Sequence, residues 1–201
     1  MNLNEDKIEA LWRWFYSNEK RIREAIENES PAEQRDISEH LDNLVLDIGL
    51  FSWEISPGIN KDWALTISPN GDKDLLILSK EIIQEAPELI DWEFNYCKLA
   101  KDWNRTLVLY DNNMDEKEID ASKWKYVALV QKNGKIELVL EAGNISHLDD
   151  DTATTAANLV VQNEIGEEAR INKIASINIV DQLGDEYVSQ KLEISQLKTL
   201  L

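Results

Sequence analysis

The chain has 201 residues, 43% of them hydrophobic, which is enough for one domain with a sizeable buried core. Its 39 acidic residues against 21 basic ones leave a formal charge of −18, and this argues against nucleic acid and anionic membranes as partners, because phosphate recognition needs clustered Lys and Arg. A single cysteine, Cys97, permits no internal disulfide, and no apolar run approaches the roughly 18 residues of a membrane span.

Residues 1–7 lack the basic segment and apolar stretch of a signal peptide, so a bacterial-type cytoplasmic protein is the expected setting. Over residues 4–28 the positions Ile8, Leu11, Trp12, Phe15, Ile22 and Ile26 form one helical stripe, with Glu5 and Asp6 complementing the dipole at the first turn. Trp14 points away from Trp12: it widens the buried face or stands exposed, and as an exposed aromatic it is the candidate binding anchor. Ser30-Pro31-Ala32-Glu33 reads as a capping box that starts a second helix, burying Ile37, Leu41 and Leu44. His40 lies one residue off that stripe and has no partner at ligand spacing, which makes it a surface or boundary residue.

Residues 47–55 alternate through Phe51, Trp53 and Ile55, turn at Ser56-Pro57-Gly58, and return over 63–68 as a hairpin. A turn at 68–71 leads to Asp72, placed as an N-cap, and a helix carrying Leu75, Leu78, Ile82 and Ala86 inward until Pro87 stops it. Trp92, Phe94 and Tyr96 then line one face of a strand over 92–99. Gly58 and Gly71 lack the spacing of a phosphate-cradling loop and are read as turn glycines.

The run ISPNGDKDLLILSKEIIQEAPELIDWEF resembles an uncharacterised family of bacterial proteins, in which a strand and Gly turn precede a Leu-rich helix, Ala-Pro and a Trp-initiated strand. Trp14-Phe15, Asn18-Glu19 and Gly166-Glu167 are also similar to that group. The resemblance covers about the central third of the chain; it implies a fold and carries no activity.

Residues 105–110 supply a further strand, and the polar segment 111–122 reads as a connection. Strands at 124–130 and 136–141 flank Lys132-Asn133-Gly134-Lys135, the strongest hairpin signal in the chain. A helix follows Asp149-Asp150-Asp151-Thr152 through Ala156, Ala157, Val160 and Val161 to Ile165, closed by a left-handed Gly166. Residues 170–180 read as the last long strand, with Glu167 and Glu168 as solvated loop carboxylates before it, and 189–201 as one short helix through Leu192, Leu197 and Leu200.

The predicted class is α+β: a mostly antiparallel sheet with helices packed on one face, two similar hairpin–helix–strand halves and an N-terminal helical pair. The expected organisation is a single domain over 1–201, made of N-terminal helices 1–46, a first half 47–111, a connection 112–123, a second half 124–180 and a tail 181–201. For function, the reading is a non-catalytic, cytoplasmic protein that binds a basic protein partner through its acidic surface, with no cofactor and no catalytic residue. The alternative is a small divalent-metal-dependent enzyme using His147 with Asp149, Asp150 and Asp151, an oxygen-rich cluster suited to Mg²⁺, Mn²⁺ or Ca²⁺. Adjacent aspartates at a helix start are equally what capping selects. No Gly-x-Ser-x-Gly elbow occurs, and neither histidine has a placed nucleophile.

Overall fold

A computed structural model describes residues 3–187 and 189–200. Met1, Asn2, Val188 and Leu201, which the readings of the N-terminus and tail include, lie outside the described residues. The protein is α+β and divides into two compact units, Met1–Cys97 and Lys98–Leu201. The break falls inside the segment 47–111 read as one half, so the strand at its end belongs to the second unit.

In the first unit, α1 (Leu3–Glu27) and α2 (Pro31–Ile48) precede a hairpin of β1 (Ser52–Pro57) and β2 (Trp63–Ser68), a crossover helix α3 (Lys73–Gln84) and β3 (Trp92–Asn95). The sheet order is β1-β2-β3, with β1 antiparallel to β2 and β3 parallel to it, Trp63 opposite Trp92 and Leu65 opposite Phe94. Central β2 is buried from Ala64 to Ser68. Phe15 of α1 meets Trp92 and Phe94 edge-to-face at 4.8 and 5.5 Å, the favoured geometry for aromatic quadrupoles. Asp72 caps α3 as its position indicates, accepting the backbone N–H groups of Asp74 and Leu75 at 2.8 and 2.9 Å.

Two local expectations need correction here. Ser30 is the N-cap of α2 and Pro31 follows it, but no capping box forms: Ser30 makes no side-chain cap bond, and Glu33 instead accepts from Arg21 of α1, which also pairs with Asp36. On α3 the buried stripe is Leu76, Ser79 and Ile82, with Leu75 and Leu78 only half-buried beside it. Ser79 can be buried because its hydroxyl donates to the Leu76 carbonyl at 3.0 Å.

The second unit opens on a ribbon of β4 (Thr106–Tyr110) and β5 (Glu116–Asp120), then the hairpin β6 (Lys125–Val130) and β7 (Ile136–Glu141), α4 (Asp150–Ile165), a short α5 (Glu167–Lys173), β8 (Ile174–Val180) and a two-residue β9 (Leu192–Glu193). Its larger sheet has the order β8-β7-β6-β9, β7 and β8 parallel and the other neighbours antiparallel. Both units thus contain the same path: antiparallel hairpin, helix, then a strand parallel to the hairpin's second strand. Gly134, at φ +79°, occupies the left-handed position of the β6–β7 turn, where Gln131 accepts its N–H at 2.9 Å.

Three sequence readings fail in this unit. The polar connection over 111–122 contains β5: Glu116, Glu118 and Asp120 face out and mask the inward pair Lys117 and Ile119, the latter fully buried. The strand expected over 170–180 begins only at Ile174, because 167–173 is helical, with Glu167 and Glu168 in its first turn and Arg170 and Lys173 in its last, each sign matching the dipole. The tail is not one helix: Leu192 pairs opposite Tyr126 in β9, and a 3-10 turn over Ile194–Thr199 buries Ile194 and Leu197.

The corrected α3 stripe gives a test. Ile82→Ala is expected to cost about 2–5 kcal/mol through lost burial and a residual cavity, whereas Ile77→Ala, on the exposed face, should stay within about 0.5 kcal/mol. Urea unfolding of the two variants checks the order, and equal costs would contradict it.

Candidate functional site

Trp14 is half-buried against the first unit's core, its ring stacked on the exposed His40 imidazole at 5.1 Å and 8°. In the second unit, His147 is exposed, and Asp149 is the N-cap of α4, accepting the Thr152 backbone N–H at 3.0 Å and its hydroxyl at 2.6 Å, with Asn112 donating at 3.0 Å. Those bonds, the Thr152 hydroxyl foremost, hold the Asp149 carboxyl below the usual carboxylate range. Asp150 and Asp151 are exposed in the first turn. Among the described residues, no three His, Cys, Asp or Glu side chains converge to hold a metal ion.

Two carboxylates are buried at the α4–α5 junction: Glu167, which the sequence reads as a solvated loop residue, and Glu164, which no sequence signal singles out. Glu167 is fully buried: its side chain accepts the Lys98 N–H at 2.9 Å while its own N–H donates to the Lys98 carbonyl at 2.8 Å. Glu164, 2% exposed, accepts the Trp103 indole N–H at 3.0 Å and pairs with Arg105, whose Nε lies 2.9 Å away but is not aligned for a hydrogen bond. Gly166 joins the two helices at φ +82° and ψ 156°, extended rather than left-handed helical, and a Cβ there would stand 3.2 Å from the Ala100 nitrogen. Together these groups fasten residues 98–105 across the α4–α5 junction. Their role is to hold the fold, and the pairing of each carboxylate leaves little freedom for acid–base work.

A concave surface lies in the first unit. A groove of about 760 Å³ runs between the N-terminal half of α1 and the C-terminal end of α3. Ile8, Trp12 and Pro87 form its apolar part, and Glu5, Glu9, Glu81 and Glu85 supply four carboxylates against one cation, Arg13, already paired with Glu9. The Trp12 indole N–H donates to the Ile82 carbonyl at 2.7 Å, beside the Glu85 N–H that reaches the same oxygen at 3.3 Å, and so fixes the groove's two walls to each other. A second cleft, about 280 Å³ between α1, α2 and β1, is lined by Ile22, Ile26, Ile37, Trp53 and Ile55 with no carboxylate. The groove joins segments some seventy residues apart, so no local sequence signal announces it.

Charge is unequal between the units. Residues 1–97 hold 21 acidic and 9 basic side chains, net −12, whereas residues 98–201 hold 18 and 12, net −6. Searches of protein families, curated proteins and solved structures return no match to this chain. Among the described residues, no helix is long and apolar enough to cross a membrane.

Glu164→Ala is expected to destabilise the second unit by about 3–5 kcal/mol, since it strands a mostly buried guanidinium and the Trp103 N–H; denaturant unfolding with Glu164→Gln alongside, which keeps an acceptor, should show the smaller loss for Gln. Asp149 titrates with a depressed folded-state pKa, so its contribution is complete above its unfolded value of about 3.9 and disappears as pH falls through the lower folded value. Asp149→Ala should therefore lower the melting temperature at neutral pH, and the gap to the parent chain should close in acid; a gap that persists at the lowest pH would refute the capping assignment.

Proposed function

We propose that this protein acts by binding a basic protein partner through the acidic face of its first unit, in the cytoplasm of a bacterial cell, and that it belongs to the bacterial group its central third resembles. What supports the binding reading is the groove beside Trp12: a concave, partly apolar surface rimmed by carboxylates, on the unit that holds most of the excess charge. Depletion of cations around an apolar centre suits recognition of Lys and Arg, while the wider negative field accelerates encounter.

Exposed charges act over a Debye length of about 8 Å at physiological salt, so their contribution belongs to the association rate. Dissociation is set by the packed anchors. For a basic protein captured on the full chain, association measured by stopped flow should slow steeply as salt rises, with dissociation nearly constant. A flat association rate, or a captured partner that is itself acidic, would overturn this function.

A further inference from the structure

Resting on that reading, we infer that the groove between α1 and α3 is the docking site, and that its occupant is a partner segment carrying Lys or Arg on both sides of a short apolar centre. Three observations specify this occupant. First, the side chains of Glu81 and Glu85 have no hydrogen-bond or ion-pair partner among the described residues, although Glu9 is matched by Arg13. Second, Glu81 and Glu85 stand at the C-terminal end of α3, whose last turn contains no basic residue. A helix C-terminus carries roughly half a negative charge, so these carboxylates add to the dipole field where cations are normally selected. Third, the Ile82 carbonyl in the last turn accepts the Trp12 indole N–H and the Glu85 N–H, both neutral donors that leave this field uncompensated. A guanidinium or ammonium group between Glu81 and Glu85 would supply the missing charge, and half-buried Pro87 with the narrow edges that the buried Ile8 and Trp12 leave open offers the contact for the apolar centre between the cations.

The probe is a short fluorescein-labelled peptide of alternating Lys and Arg around a central Leu-Phe pair, titrated by anisotropy against the full chain, against E81Q/E85Q, and against E116Q/E118Q, which removes the same charge from exposed positions on β5. The groove variant should bind about three- to tenfold more weakly, the worth of two exposed ion pairs, and the β5 variant should bind like the parent chain. Replacing Leu-Phe by Ser-Ser in the peptide should also weaken binding to the parent chain. Equal losses in the two variants would show attraction to net charge alone and overturn the site. Indifference to Leu-Phe, or equal competition by spermine, would overturn the stated occupant. If a captured basic partner binds E81Q/E85Q as it binds the parent chain, the groove assignment fails and the binding function stands; if its association with the parent chain ignores salt, that function fails by itself.

Discussion

A strand can be laid parallel to the second strand of a hairpin only through a crossover, and the crossover must cover the sheet it spans. Both units obey this constraint, and each core follows from it. In the first, α3 returns the chain over β2, so Ile82, Leu65, Ile67 and Trp92 share one interior. In the second, α4 does the same over β7, with Ala156, Ala157, Val160 and Val161 facing Leu138 and Leu140. The remaining elements cover what that arrangement leaves open: α1 and α2 bring Leu11, Phe15, Leu41 and Val45 to the first core, and the 3-10 turn near the C-terminus brings Ile194 and Leu197 to the second.

Features written in adjacent residues were legible before the structure. Asp72 caps α3, the Asn133-Gly134 turn closes β6 onto β7, and the order hairpin, helix, strand recurs in both units, although the parallel pairing of each last strand was not part of that reading. Features decided at a distance were not. One local bond is equally hidden: Ser79 looks like a break in an apolar stripe, but its hydroxyl donates to the Leu76 carbonyl within the helix, and counting apolar residues alone places the stripe one residue away. β5 looks like a polar linker because only Lys117 and Ile119 face inward. Glu164 and Glu167 look solvated because their partners, Trp103, Arg105 and Lys98, lie about sixty to seventy residues upstream. The alternation through Ile177 and Ile179 was real, but it was extended backward across a seven-residue helix that it cannot include.

The same distinction governs the candidate site. Trp14 stands out in sequence because it lies off the stripe of its own helix, yet its ring stacks on His40, whereas the groove is built beside Trp12, which the stripe correctly places in the core. Trp12 serves both: its ring meets Phe94 at 4.9 Å in an edge-to-face contact, and it helps line the groove. The aspartates before α4 are conspicuous in sequence because they are consecutive. Among the described residues only Asp149 of the three has bonded partners there, and they belong to the cap and to Asn112.

Acidic residues in this chain also differ in what they do for the fold. Glu93 accepts the Ile59 and Asn60 N–H groups at 2.6 and 3.0 Å, and these bonds, led by Ile59, hold its carboxyl below the usual range. Glu141 is held down likewise, first by the Leu183 N–H, with Lys191 adding to it. Such carboxylates fasten loops, and folding favours them. Glu81 and Glu85 fasten nothing among the described residues and stand against the dipole of their own helix, so local stability does not account for their presence. A protein can carry a few residues that oppose its local rules, and these collect where the molecule meets something else. That places the strongest argument for binding in the sign of two unpaired charges at one helix end, more than in the net charge of the chain.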